Sequence, residues 1–378
     1  MTVRKFTIPS HVLEATRLTR EGRLAEAAAM LQGGGAVTDG PAANGRVFDA
    51  ATGMPSSASG YSFDDFTRFW NGGMAEPAGA ERAGQAPEGA EFGTFTYSEA
   101  GGSRTYKLYV PSSYRGDVAV PLVIMLHGCT QGPDDFAAGT GMNALAEEQG
   151  FLVAYPAQPS SANAQKCWNW FNPTDQQRDR GEPALIAGLT RQIQRDYSID
   201  SARVYVAGLS AGGAAAAIMA RAYPDLYAAV GVHSGLACGA ARDVSSAFTA
   251  MRQGSPGTAA VRGTRHRTVP TIVFHADRDN TVHPSNAQAV LAQAGAQAGG
   301  LGSATEQGQV PGGRRFTRTT HTDATGEVLL EQWVVHDGGH AWSGGSALGS
   351  YTDPRGPDAS REMLRFFLAH PHPSPGVS

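Results

Sequence analysis

Residues 203–223 read RVYVAGLSAGGAAAAIMARAY, and this stretch decides the fold. Its first half, Arg203 to Ala207, is an apolar run suited to a buried strand. Its last half, Ala211 to Tyr223, is a run of small residues suited to a closely packed helix. Between them stands Gly208-Leu-Ser210-Ala-Gly212, which matches G-x-S-x-G. Strand before and helix after give this short pattern its meaning: a tight, strained turn that lifts a serine hydroxyl above a sheet.

The same alternation extends in both directions. Upstream, Phe95 to Tyr97 and Arg104 to Val110 read as an opening antiparallel hairpin. Leu122 to Leu126 is a strand buried on both faces, and Phe151 to Tyr155 is the next, after a helix over Asn143 to Gln149. A helix over Glu182 to Tyr197 precedes the central stretch. Downstream come strands at Ala228 to Val232 and Thr271 to Phe274, a helix over Ser285 to Ala296, a strand over Val328 to Val335 and a closing helix over Asp358 to Ala369. Alternating strands and helices predict an α/β fold with a mostly parallel central sheet covered on both faces.

The folded domain is expected over 92–370. Before it, His11 to Gln32 has helical apolar spacing, giving an N-terminal helical segment over 1–32. A Gly/Ala/Pro-rich linker follows over 33–91, and a short tail spans 371–378. The 48 Gly and 22 Pro among 378 residues make about 19% against a usual ~12%, which argues for long loops. A net charge of −4 recommends no nucleic-acid partner, and no apolar run is long enough to span a membrane. Residues Met1 to Ser10 carry no signal-peptide pattern, so a cytoplasmic location is expected, with an extracellular one as the alternative. Three cysteines without C-x-x-C spacing predict no metal site, and no cofactor is expected.

A nucleophilic serine needs a base and an orienting carboxylate, which for this turn follow in the order Ser, Asp/Glu, His. His340 in Gly338-Gly-His-Ala-Trp342 lies just past the last strand and is preferred to His336 at that strand's end. Asp279, in D-x-x-V-x-P, is preferred to Asp277, which could instead brace the loop or pair with Arg278. Two backbone donors should stabilise a developing oxyanion: the N–H of Ala211, and one from His127-Gly-Cys-Thr-Gln131, with Cys129 preferred to Thr130. Trp168, Trp170 and Trp342 are candidate substrate-contacting aromatics, against the ordinary alternative of core packing.

His127-Gly-Cys-Thr-Gln131, Cys167-Trp-Asn-Trp-Phe171, Gly208-Leu-Ser-Ala-Gly-Gly213 and Gly339-His-Ala-Trp342 together resemble the polyhydroxybutyrate depolymerase family of esterases. The resemblance runs from about Phe92 to His370. It implies an α/β-hydrolase fold and hydrolysis of short-hydroxyalkanoate polyesters or oligomers through an acyl-enzyme. The pattern is also similar to feruloyl and acetylxylan esterases. Many members of the resembling family are extracellular. A peptidase of the same fold would use the same parts, and a non-catalytic polyester-granule binding protein is the reading from another class. Cys129, in the oxyanion loop, and Cys167, opening the aromatic segment, are placed to form a disulfide; two separate buried thiols are the alternative, and Cys238 is a competing partner.

Overall fold

The computed structural model describes residues 87–99, 101–255, 267–296 and 298–372. The helical segment expected over 1–32 lies outside these residues, as do most of the expected linker and tail.

The first strand, β1 (Glu91–Glu99), begins one residue before the expected domain boundary and pairs with β2 (Gly102–Val110) as a hairpin. Then follow β3 (Val120–Leu126), α1 (Pro133–Thr140), α2 (Met142–Gln149), β4 (Leu152–Pro156), α3 (Gly181–Asp196), β5 (Ile199–Leu209), α4 (Ala211–Ala222) and β6 (Ala229–His233). The second half holds α5 (Val244–Gln253), β7 (Thr271–Ala276), α6 (Ser285–Gly295), β8 (Gly302–Gln309), β9 (Arg315–Thr322) and β10 (Val328–Val335). Two short strands, β11 (Trp342–Ser343) and β12 (Thr352–Asp353), and the helix α7 (Ala359–Leu368) close the described chain.

Among the described residues, ten strands form one sheet in the order β1-β2-β4-β3-β5-β6-β7-β10-β9-β8. The six central strands, β4 to β10 in that order, are mutually parallel, and an antiparallel pair flanks them on each side. This is the predicted mostly parallel sheet.

Alternation along the strands builds two cores. In β3, Leu122, Ile124 and Leu126 face α3, α4, α5 and α6, while Val123 and Met125 face α1, α2 and α7. The expected covering of both faces is thus seen. Both faces of β3 are buried and apolar, which is why it reads as a continuous apolar run.

Six of these elements went unpredicted, the two-residue strands β11 and β12 among them. Strands β8 and β9 have no apolar run because they lie at the sheet margin, where β8 is exposed nearly throughout. Helices α1 and α5 are marked by their ends rather than by periodicity. The first has Pro133 in its first turn and a left-handed Gly141 at its end, and the second a capping box between Asp243 and Ser246.

Candidate active site

Ser210 follows the last residue of β5 and opens α4, with φ 58° and ψ −119°. A non-glycine residue at positive φ carries about 1–3 kcal/mol of strain, which the surroundings must hold in place. They do so by close approach. A Cβ on Gly212 would lie 2.0 Å from the Leu126 carbonyl oxygen, and one on Gly208 would lie 2.3 Å from that of Gly212. The Ser210 N–H donates to the His233 carbonyl at 2.9 Å, tying the turn to β6.

Asp279 and His340 come from the loops after β7 and β10, which are neighbours in the sheet. Backbone bonds zip these loops together: Asp277 N–H to the Val335 carbonyl and Arg278 N–H to that of Gly338. His340 Nδ1 then donates to Asp279 Oδ2 at 2.7 Å. The other carboxylate oxygen accepts from the backbone N–H groups of Thr281 and Val282 at 2.9 and 2.8 Å. Burial opposes ionisation of Asp279, but the charge of His340 and hydrogen bonds from His275 and His340 outweigh it. The carboxyl is held far below the ordinary carboxylate range.

The competing aspartate is placed elsewhere. Asp277 Oδ2 accepts from His336 Nδ1 at 2.8 Å, and its Oδ1 accepts from the Asp337 N–H. Arg278 pairs with Asp337 and not with Asp277. Asp277 therefore braces the loop, and Asp279 is the carboxylate on His340.

The loop after β3 separates the two oxyanion candidates. The Thr130 N–H donates to the Gln165 carbonyl at 2.6 Å, so Thr130 is removed as the alternative donor. The N–H of Cys129 bonds no protein acceptor among the described residues. That of Ala211, the first residue of α4, has no intrahelical partner. Cys129 and Cys167 are joined in a disulfide with Cα atoms 4.2 Å apart, and Cys238 is a buried free thiol.

The three tryptophans correct the substrate-contact expectation. Trp168, Trp170 and Trp342 are 0, 4 and 1% exposed and offer no ligand surface. Trp168 Nε1 donates to the His127 carbonyl, Trp342 Nε1 donates to Ser360 Oγ, and Trp170 packs edge-on to Phe171. The indole N–H groups of Trp168 and Trp342 are thus committed to holding loops together.

Sequence reasoning missed four polar residues around the site. His275 Nε2 donates to the Val282 carbonyl at 2.8 Å and lies 3.4 Å from Asp279 Oδ2; its signal was the i, i+4 spacing from Asp279. His233, stacked between Phe274 and Trp342, accepts the Ser343 N–H and so fixes the segment just after His340. Burial pulls its pKa down to about 3. His127 accepts the Gln158 N–H at Nε2, which leaves its proton on Nδ1 facing the Gly128 carbonyl. Burial lowers its pKa to about 4. Glu182, buried in α3, is pushed up to about 7 by burial and by Asp175, against the hydrogen bonds it accepts. Nothing in a single sequence marks a helix glutamate as buried.

Among the described residues no cluster of three or more His, Cys, Asp or Glu could hold a metal ion, and no helix is long and apolar enough to cross a membrane.

A strained serine at the end of a central parallel strand, with a His–Asp pair on the following strand ends, defines the α/β-hydrolase class. The solved acetyl xylan esterase from Aspergillus awamori has the same fold, with a TM-score of 0.56 at 20% identity over 70% of this chain and 94% of that one. Residues 104–314 match the family described as esterase PHB depolymerase, and the chain belongs to that family. It is 34% identical over 241 residues to poly(3-hydroxyalkanoate) depolymerase C of Paucimonas lemoignei, covering 61% of this chain and 57% of that protein. It is 31% identical over 201 residues to feruloyl esterase B of Thermothelomyces thermophilus, covering 49% and 67%. The chain thus spans a little over half to two thirds of the length of these curated relatives.

Proposed function

We propose that the protein is a serine esterase that hydrolyses the ester bonds of poly(3-hydroxybutyrate) or related short-hydroxyalkanoate polyesters and oligomers. Ser210 Oγ attacks the ester carbonyl, and His340 Nε2 takes the hydroxyl proton and passes it to the departing alkoxide. Asp279 holds the Nδ1–H tautomer and stabilises the imidazolium without accepting the proton. The N–H groups of Cys129 and Ala211 receive the oxyanion. Water then cleaves the acyl-enzyme by the same steps in reverse order.

The observation that carries the reading is the 2.7 Å bond between His340 and Asp279, at the same ends of the parallel strands as a serine held at positive φ. The polyester substrate is supported by family membership and by the depolymerase relative. The feruloyl esterase relative supports a phenolic or sugar ester as the second reading. The disulfide favours the extracellular alternative over the cytoplasm, because such bonds persist in oxidising compartments.

The test compares release of soluble hydroxybutyrate from amorphous poly(3-hydroxybutyrate) with hydrolysis of p-nitrophenyl butyrate and methyl ferulate. The polymer and the butyrate ester should be cleaved, and Ser210→Ala should lose at least about 10⁴-fold in kcat on both. Residual activity near the wild-type rate in folded Ser210→Ala would overturn the mechanism. Cleavage of ferulate without hydroxybutyrate release would move the substrate to the second reading.

A further inference from the structure

The Cys129 donor is held from below by a buried polar cluster that plays no direct part in the chemistry above. Glu182 is 6% exposed, and four donors converge on its carboxylate. Oε1 accepts from Gln158 Nε2 at 2.5 Å, from Asn169 Nδ2 at 2.8 Å and from Arg104 Nη2 at 3.4 Å. Oε2 accepts from the Asn169 backbone N–H at 2.8 Å.

These contacts join α3 to two segments of the connection that leads into it from β4. One is the loop after β4 at Gln158, whose backbone N–H donates to His127 and whose side chain donates to the Cys167 carbonyl. The other is Cys167 to Asn169, which holds the disulfide to Cys129 and the Trp168 bond to the His127 carbonyl. Both segments therefore end on the turn from His127 to Cys129. One carboxylate ties both together.

We propose that Glu182 is a positioning residue for the oxyanion donor, clamping the Gln158 and Cys167–Asn169 segments so that the His127–Cys129 turn holds the Cys129 N–H in place. The inference rests on the reading of that N–H as an oxyanion donor. Glu182 touches neither substrate nor nucleophile, so it acts only through the turn. The disulfide is a second clamp on the same turn, and the two must share the load. A donor displaced by a fraction of an ångström loses its grip on the tetrahedral state while leaving ester binding nearly unchanged.

The experiment measures kcat, KM, Tm and the affinity for a boronate that forms a tetrahedral adduct on Ser210. The full chain carries Glu182→Gln, Cys167→Ala or both. Glu182→Gln places an amide N–H₂ where four donors converge. It should lower kcat by about 10- to 100-fold, with KM within about two-fold and boronate affinity falling in step with kcat. The double variant should depart from the product of the two single losses, because both act on one turn.

Gln158→Met, which removes only the side-chain link and keeps the bond to His127, should show a smaller kcat loss of the same kind. If Glu182→Gln does not fold, this variant decides the matter. The inference is overturned if the folded variants keep kcat within two-fold of wild type. It also falls if boronate affinity does not follow kcat, or if the two losses multiply strictly. Activity surviving in Ser210→Ala would sink the catalytic reading instead, so the two failures are distinguishable.

Discussion

The pairs His340–Asp279 and His336–Asp277 lie only a few residues apart, and their lengths do not tell them apart. His340 and Asp279 meet at 2.7 Å, His336 and Asp277 at 2.8 Å. Their surroundings differ. The side chains of the first pair are 6 and 0% exposed, those of the second 27 and 39%. Water screens the second pair, and the Nε2 of His336 lies 2.8 Å from Thr317 Oγ1 on β9. In the first pair the carboxylate is fixed by backbone N–H groups on one oxygen, so the other faces His340 Nδ1 at 2.7 Å, with His275 Nε2 more distant at 3.4 Å. A dyad becomes useful for proton transfer through burial and placement beside a nucleophile, and a short distance is only its entry condition.

The sharpest way to break the comparison is to remove each histidine in turn. His340→Ala should lower kcat for p-nitrophenyl butyrate by about 10⁴-fold or more, since triad members act as a unit. His336→Ala should stay within about two-fold, as expected for a half-exposed side chain away from the reacting atoms. Equal losses in the two variants would show that the exposed pair also serves the reaction.

The carboxylates give the next largest contrast. Asp279→Asn should cost about 10³- to 10⁴-fold in kcat, because an amide at this position favours the wrong imidazole tautomer. Asp277→Asn should leave kcat within a few-fold, with a stability change in urea of no more than about 1 kcal/mol, the usual worth of an exposed ion pair. A larger kinetic loss for Asp277→Asn would reverse the assignment.

Most of this was legible in the sequence, and the exceptions share a cause. The glycines around Ser210 announce the turn because only they allow the backbone approach to Leu126. The order of Ser210, Asp279 and His340 follows from the topology, since each lies past the end of a parallel strand. Spacing alone left Asp277 and Asp279 in competition, and the registration of the β7 and β10 loops decides between them. Trp168 and Trp342 were misjudged because an indole suits a ligand surface and a core equally well by composition. Glu182, His127 and His233 were missed because their partners are brought in from distant segments.

The smallest effect tests what burial does to a histidine that takes no part in the proposed proton transfer. His127 is buried neutral, with its pKa pulled from the usual 6.5 to about 4. A depressed histidine contributes stability that is present above pH 6.5 and lost as pH falls towards 4, because the unfolded chain takes up the proton first. Its share is on the order of 3 kcal/mol. Glu182 opposes this trend: its raised value favours the folded state below pH 4.5, and that advantage disappears as pH rises through about 7. Urea midpoints of wild type and His127→Gln, read at steps from pH 7 to 4, should therefore show a shallower acid decline in the variant. Parallel curves would mean that His127 does not titrate as its burial demands.

The exposed margin of the sheet has a consequence of another kind. Among the described residues, strand β8 ends the strand order, and its sequence, GSATEQGQ, contains no large apolar side chain. A free strand edge can template the addition of another chain, which is the first step towards aggregates. Here the edge is interrupted by glycines and carries Glu306, already engaged with Arg318 on β9. The residues that made this strand invisible to pattern reading are thus the ones that make it a poor seed for fibres, even in crowded or concentrated solution.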